Sequence, residues 1–259
     1  MDKIKSNEEF RSKLIGELNQ CRKDPKTYSK KIESYIPYFK GKVLRLPNIT
    51  GLMTNEGQSA FQEAADYLMS LQPVPSFKYN PGLTHIAHDY MKEIQKYEDL
   101  NDAKKINLKS MIAKYGKCIG EFKLSTDFGS SSPELIAINL LVDDGDKERE
   151  MRNVIFDKSY IDVGVSTGNH STYNKCTVIF FAKKFISKND ENYAEFANEE
   201  EKEEDYENED FDLPEGVERI EKQEKVITEN GNKKKIVKTV YYNSNGTQNI
   251  KTVKKDIYE

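Results

Sequence analysis

Apolar residues recur at helical spacing through much of the first 156 residues of the chain. The starts of several of these segments carry helix-capping residues, which are Ser6 with Glu9, Asp24-Pro25, Thr54, Asn80-Pro81 and Ser132-Pro133. The pattern therefore predicts helices near residues 7–23, 25–36, 55–71, 81–94, 108–115 and 133–141, and a short amphipathic turn or helix at 149–156.

The hydrophobic period changes to two after about residue 160. Val163–Val165 and Thr177–Phe185 read as strands, and the loop 167–175 is expected to join them as a long hairpin. A short extended segment at Gly120–Leu124 precedes them. Because helices come first and antiparallel strands last, the sequence predicts an α+β fold.

The end of the chain has a pattern of its own. Asn230-Gly231 and Asn245-Gly246 are strong two-residue turn signals that separate β-prone runs at 217–228, 233–242 and 247–257. A small three-stranded antiparallel meander is the predicted structure. In its middle run Ile236, Val240 and Tyr242 share one face with Lys238, and Val237, Thr239 and Tyr241 share the other. Neither face is purely polar, so we expect Ile236, Val237, Val240, Tyr241 and Tyr242 to bind a protein partner.

Charge separates these regions more sharply than periodicity does. Residues 1–187 carry 28 Lys/Arg and 24 Asp/Glu, residues 188–215 carry 2 and 14, and residues 216–259 carry 10 and 6. The middle block buries too little apolar surface to offset its ordering entropy. We therefore expect a domain at 1–187, an acidic linker at 188–215 and a basic β-rich tail at 216–259. A partner-binding role for the acidic block stays open as the alternative.

Composition narrows the functional classes. Only 36% of the residues are hydrophobic and 32% are charged, so part of the chain is expected to lie outside a core. The sequence has no run of about 18 apolar residues, so we expect no membrane span. The first residues lack the apolar region of a signal peptide, which predicts a cytoplasmic rather than a secreted protein with its three cysteines reduced. Only six of the 40 basic residues are Arg and no basic stripe is evident, so no nucleic-acid partner is expected.

Five motifs follow one another along the first 187 residues. They are L-N-Q-C-R-K-D-P at 18–25, P-G-L-T-H-I-A-H-D-Y-M at 81–91, G-E-F at 120–122, D-D-G with E-M-R-N-V-I-F at 143–156, and D-V-G-V at 162–165. In this order they resemble the CAP superfamily (cysteine-rich secretory protein, antigen 5, pathogenesis-related 1), also called SCP-like. The resemblance covers about residues 8–187 and is closest to signal-less, cysteine-poor members from protists and bacteria. It implies an α-β-α sandwich.

The resemblance also implies a cleft in which two histidines and two acidic residues bind a divalent metal. Here Tyr90 and Met151 stand at the histidine positions, and a one-residue slip would put Glu150 in place of Met151. Glu121 matches one acidic position and Asp144 stands near the other. A phenol and a thioether do not replace imidazole as ligands of zinc-like ions. We therefore expect a vestigial cleft with no metal, no cofactor and no catalytic residue.

The remaining histidines do not suggest a site. His85 and His88 fall opposite the apolar stripe of their helix and are expected to face solvent, where their spacing leaves a surface metal site as the lesser alternative. His170 lies in the predicted hairpin loop and is also expected to be exposed. No G-x-S-x-G, H-E-x-x-H, Walker A or G-x-G-x-x-G motif occurs.

The functional expectation is a non-enzymatic intracellular interaction module. The resemblance to signal-less ciliate members implies a cytoskeletal or ciliary setting with axonemal or other cytoskeletal protein partners. Two alternatives stay open: a residual metal-dependent enzyme that uses Glu121, and a lipid- or sterol-binding protein, as some members of the family are.

Overall fold

The computed structural model describes residues 2–47, 51–97, 106–191 and 193, and the strand residues 217–229, 232–243 and 248–256. The chain divides into two compact units, residues 1–197 and 198–259. The first unit is of the α+β class, as the sequence predicts. No helix in the described ranges has the length and apolar character that crossing a membrane requires.

The described helices of the first unit follow the predicted order. They are α1 (Asp2–Lys23), α2 (Pro25–Glu33), a short 3-10 turn (Ile36–Tyr38), α3 (Gln58–Ser70), α4 (Pro81–Ile94), α5 (Leu108–Tyr115), α6 (Pro133–Val142) and α7 (Glu150–Phe156).

Three of the predicted caps are confirmed. The Asp24 carboxylate accepts the Thr27 N–H, the Asn80 side chain accepts the Gly82 and Leu83 N–H groups, and the Ser132 hydroxyl accepts the Leu135 N–H. In each case proline occupies the first helical position, where its missing N–H costs no hydrogen bond.

Two predicted caps are wrong. Helix α1 begins at Asp2, so Ser6 lies inside the helix: residues 2–5 contain no helix breaker, and a capping box is only a preference. Helix α3 begins after Gly57, not after Thr54. The Thr54 hydroxyl instead bonds the Lys42 carbonyl and the Gly57 N–H, and so fixes the loop that precedes the helix.

The first unit contains two β-sheets within its described residues. Two-residue strands β1 (Phe39–Lys40), β2 (Val43–Leu44) and β3 (Leu52–Met53) form a small antiparallel sheet. The main sheet has the order β4-β6-β7-β5, from β4 (Lys78–Tyr79), β5 (Gly116–Phe128), β6 (Asp162–His170) and β7 (Asn174–Ser187). Strand β4 runs parallel to β6, and the other neighbours are antiparallel.

Helices pack against both faces of the main sheet. Ile179 and Phe181 of β7 belong to one hydrophobic cluster, which we call the first cluster, with side chains of α1, α2, α3, α6 and α7. Val178 and Phe180 belong to a second cluster with α4 and α5. This alternation is the period of two that predicted the strand, because successive side chains point to opposite faces.

The loop of the predicted hairpin is much shorter than expected, because the two strands pair further than the sequence indicated. Strands β6 and β7 pair up to His170 opposite Asn174, which leaves three connecting residues. Residues 167–170 continue the ladder because Thr167 and Thr177 hydrogen-bond across it and both are buried. The prediction that His170 is exposed is therefore wrong, since only 7% of its surface is accessible.

In the second unit, β8 (Val217–Glu229), β9 (Asn232–Asn243) and β10 (Gln248–Asp256) form an antiparallel sheet with β9 in the centre. Val237 lies opposite Glu224 of β8 and Val253 of β10. Both predicted Asn-Gly turns lie outside the described residues, as do the side chains of Ile236, Val237, Val240, Tyr241 and Tyr242. Of the predicted acidic linker, only residues 188–191 and 193 are described.

Candidate functional site

The segment after α6 turns sharply. Asp143 and Arg149 adopt left-handed backbone conformations, with φ of 51° and 52°, and Gly145 has φ of 92°. A Cβ atom at Gly145 would lie 2.6 Å from the Asn55 side-chain nitrogen. Glycine is therefore required at 145 both by the backbone angle and by the close approach of the loop before α3.

Asp144 holds these two loops together. Its two carboxylate oxygens accept the backbone N–H groups of Asn55 and Glu56, at 2.5 and 2.9 Å. In return the Gly145 N–H donates to the Glu56 carboxylate at 2.8 Å. The carboxylate that the family resemblance places near a metal is thus engaged in joining two backbone segments.

Two arginines extend this polar network. Arg149 binds the Glu56 carboxylate with two nitrogens, at 2.6 and 2.7 Å, and its hydrogen bonds lower the pKa of Glu56 to about 2. Arg152 binds Glu63 in the same way, at 2.5 and 2.7 Å, and holds the pKa of that carboxyl below its ordinary value. Arg152 is 1% exposed and also donates to the carbonyls of Leu141 and Val142.

Met151 and Asp144 line one cavity of about 270 Å³. Its lining is partly apolar (Leu52, Met53, Phe61, Ile136, Leu140, Val142 and Met151) and partly polar (Thr54, Ser125, Thr126, Asp127, Asn139, Asp143 and Asp144). Burial raises the pKa of both Asp127 and Asp143, although Ser130 donates to the first and the Met151 N–H to the second. No described Lys or Arg lines this cavity.

Glu121 lies in a separate open groove of about 580 Å³. The nearest basic group is the Lys183 ammonium, 3.2 Å from the Glu121 carboxylate, and the Tyr160 hydroxyl donates to that carboxylate at 3.5 Å. Burial raises the pKa of Tyr160 to about 12. Glu150, the alternative to Met151 at the family position, lines this groove and pairs with Lys123.

Tyr90 lies on the opposite side of the main sheet. It is half-buried on α4 against the second cluster, and burial raises its pKa. The structure thus brings Asp144 and Met151 together, places Glu121 in a neighbouring groove, and separates Tyr90 from all three.

The histidines occupy three different surroundings. His85 and His88 are exposed, as predicted, with His85 stacked on Tyr115 and His88 Nδ1 3.3 Å from the Ser166 hydroxyl. Buried His170 accepts the N–H groups of Thr172 and Tyr173 at Nδ1. Over the described part of the chain, no group of three or more His, Cys, Asp or Glu side chains is arranged to hold a metal.

Sequence reasoning missed the residues that do most to organise this region: Glu56, Glu63, Arg149, Arg152 and Asp127. Arg152 lies within one of the resembling motifs, but its partner Glu63 is 89 residues away. Local pattern carries no signal for such a pair. Comparison with family models, curated proteins and solved structures finds no match to this chain.

Proposed function

We infer that this chain is a non-enzymatic, intracellular interaction module of CAP type. In this proposal residues 1–187 form a CAP-type α-β-α sandwich, residues 188–215 tether it, and the meander at 216–259 binds a protein of a cytoskeletal or ciliary assembly. Helices on both faces of a mostly antiparallel sheet, together with the order of the five motifs, support the sandwich.

The observation that carries the non-enzymatic part is that the four cleft residues do not share one site, because only Asp144 and Met151 line the same cavity. Asp144 has both oxygens engaged by backbone N–H groups, and Tyr90 is on the other side of the sheet. Glu121 faces a lysine, which disfavours a cation beside it. An acid–base or metal-assisted reaction needs its groups within hydrogen-bonding reach of one substrate, and these four do not converge.

Zinc calorimetry on the full chain tests this part. We expect at most weak binding, and no gain in the double variant Tyr90→His/Met151→His, because those two positions lie in different hydrophobic clusters. The enzyme alternative predicts instead a sub-micromolar site that Glu121→Gln abolishes. Finding that site would refute the proposal.

Co-sedimentation with purified microtubules and actin filaments tests the partner. Val237 is paired on both sides in the central strand, so Val237→Pro removes a ladder donor and is expected to abolish binding of the full chain. Val237→Thr keeps the N–H and the β-branched shape, and is the matched control.

The two failures have different meanings. If the natural chain pellets with neither filament, the cytoskeletal setting is wrong. If the natural chain and Val237→Pro pellet equally, the C-terminal sheet does not carry the interaction. If Val237→Pro lowers the melting temperature of the first unit, the C-terminal sheet stabilises its own chain instead of binding a partner.

The cavity beside Met151 favours a second candidate, binding of a small apolar ligand. Its volume of about 270 Å³ suits a fragment of a lipid better than a whole sterol, since drug-sized ligand pockets span about 300–1,000 Å³. Displacement of an uncharged fluorescent apolar probe would test this, because Asp127, Asp143 and Asp144 line the cavity and would repel an anionic one. Ser125→Phe fills the cavity and is expected to block binding, whereas Ser110→Phe, on the exposed side of α5, is the matched control.

A further inference from the structure

One edge of the main sheet is long and unpaired within the described residues, and the other is short. Strand β4 has only two residues, and after Asn80 the chain enters helix α4 at Pro81. Strand β5 has 13 residues and pairs with β7 on one side. Among the residues that the structure describes, no strand or backbone group pairs with the outer edge of residues 122–128. Such an edge presents alternate N–H and C=O groups that an added strand can bond.

The side chains of this edge divide by face. Phe122, Leu124 and Phe128 are half-buried against the second cluster. The exposed parts of these side chains extend its apolar surface toward the edge. On the other face Lys123 and Glu121 line the groove described above, and Asp127 lines the cavity next to it. An added strand therefore meets an apolar surface on one face and a polar one on the other.

The polar face is acidic. Five carboxylates line the groove, from Glu121, Asp146, Glu148, Glu150 and Asp157. Lys123 pairs with Glu150, and Lys183 pairs with Glu121. Asp146, Glu148 and Asp157 form no salt bridge with any residue in the described ranges. Asp146 accepts the N–H groups of Glu148 and Glu150, and Asp157 accepts that of Ser159, but these bonds leave the charge of each carboxylate in place. The groove therefore keeps an excess of negative charge after its own ion pairs are counted.

We propose that the outer edge of β5 at residues 122–128 binds an extended protein segment, as an added strand, in which Lys or Arg alternates with apolar residues. The alternation follows from the pleat: neighbouring strands lie about 4.8 Å apart and successive side chains point to opposite faces. The basic side chains reach the carboxylates of the groove, and the apolar ones cover Phe122, Leu124 and Phe128. This surface is distinct from the C-terminal sheet of the proposed function.

Fluorescence anisotropy with the full chain and a labelled nine-residue peptide of alternating Lys and Val tests the proposal. We expect saturable binding, and at least tenfold weaker binding of a peptide of the same composition with its lysines grouped at one end. Two further peptides are N-methylated at all lysines or at all valines. Because all N–H groups of one set point to the same strand edge, one of them is expected to lose binding and the other to keep it.

Protein variants locate the site. Glu148→Lys replaces an exposed carboxylate of the groove. Because it turns the attraction between two exposed charges into a repulsion, it is expected to weaken peptide binding about three- to tenfold. Glu33→Lys makes the same change of net charge on the exposed surface of α2 and is expected to change binding by less than twofold. Val237→Pro is expected to leave peptide binding unchanged, which separates this proposal from the proposed function.

Several outcomes would overturn the proposal. These are no saturation at the highest soluble peptide concentration, equal binding of the two N-methylated peptides, and equal effects of Glu148→Lys and Glu33→Lys. A dimer that forms through β5 and that the peptide does not dissociate would assign the edge to a second copy of the chain instead.

Discussion

The two faces of the main sheet hold their helices by different means. On the face of the first cluster, buried guanidinium groups tie helices to backbone carbonyls far away in sequence. Arg22 of α1 is 1% exposed, donates to the carbonyls of Pro75, Ile155, Asp157 and Tyr160, and lies 3.9 Å from the centre of the Phe77 ring. Arg152 likewise joins α7 to the end of α6, although the carbonyls it binds are only 11 and 10 residues away in sequence.

On the face of the second cluster, the helix is held by direct contact with the strand. Gly164 and Gly168 of β6 face α4, and a Cβ atom at Gly164 would lie 2.3 Å from the Leu83 carbonyl carbon. An arginine side chain is flexible and can adjust to several carbonyls. At a glycine contact the helix backbone lies directly against the strand, so there is no space for an added atom. The comparison therefore predicts that the first face is sensitive to loss of hydrogen-bond donors and the second to added volume.

The largest effect is expected for Arg152→Met. The change keeps apolar bulk but leaves the Leu141 and Val142 carbonyls without this donor. Of its two described arginine partners, Glu63 keeps only Arg149, whose Nε lies 3.3 Å away. Removing one partner of a buried ion pair costs about 3–5 kcal/mol, and because Glu63 is half-exposed we expect about 3 kcal/mol in denaturant unfolding.

Arg149→Met, three residues earlier in the chain, is the matched control. Arg149 pairs with Glu56 and Glu63, whose side chains are both partly exposed, so its loss is expected to cost about 1 kcal/mol. Equal losses for the two variants would show that burial of the guanidinium is not what secures the first face.

Gly164→Ala is expected to cost about 2–3 kcal/mol through a different mechanism. The added methyl group would lie within 2.5 Å of backbone atoms of Leu83 and Thr84, which move only if α4 moves away from the sheet. Hydrogen exchange is expected to show faster opening of α4 than of α1. A loss below about 0.5 kcal/mol would mean that the second face adapts as easily as the first, which would break the comparison.

Asp144→Asn tests the loop contact on the first face at a more exposed position. The amide keeps one acceptor oxygen but turns the other into a donor that faces a backbone N–H. We expect a loss of about 1 kcal/mol in the free energy of unfolding. The control is Asp66→Asn. Asp66 is exposed on α3 and, among the described residues, hydrogen-bonds only the Gln62 side chain, so this change is expected to alter the free energy by less than about 0.5 kcal/mol. Equal losses of unfolding free energy in Asp144→Asn and Asp66→Asn would show that the Asp144 carboxylate contributes no more than an exposed one.

These features differ in how far the sequence revealed them. Helices α4 and α6 were predictable because an Asn-Pro or Ser-Pro start precedes a continuous apolar pattern. Strand β5 was predicted only at 120–124, because its polar and apolar residues are half-buried along an edge and the alternation is weak there. Strands β1 to β3 were missed, since two residues carry no periodicity.

The candidate site was less predictable than the fold for a physical reason. Asp144 and Met151 line one cavity, but the Asp144 carboxylate is bound by the N–H groups of Asn55 and Glu56, about 90 residues away. His170 looked like a loop residue because nothing in its local sequence reports that the ladder continues to Asn174. A contact between two polar side chains that are distant in sequence adds no periodic pattern to the sequence, so it cannot be predicted from periodicity.

The ion pair between Glu56 and Arg149 predicts a pH dependence confined to acid. The folded pKa of Glu56, about 2, lies below its ordinary value of 4.5, so its contribution is complete above about pH 5 and is lost as the pH falls toward 2. The natural chain is expected to melt about 1–3 °C above Glu56→Gln at pH 6. That difference is expected to disappear near pH 2. A difference that instead grows in acid would show that another group on the first face is responsible.

The smallest expected effect is a stabilising one, and it sharpens the contrast between glycine positions. Gly16 lies on the exposed side of α1, and an added Cβ would meet no heavy atom within 4 Å. Alanine is favoured over glycine inside a helix by about 0.5–1 kcal/mol, mainly because the unfolded chain loses freedom. Gly16→Ala is therefore expected to raise the melting temperature by about 1–3 °C, while the identical substitution at Gly164 lowers it. If Gly16→Ala destabilises the chain, that side of α1 contacts residues beyond the described ranges, and the first face has a partner that the guanidinium contacts do not reveal.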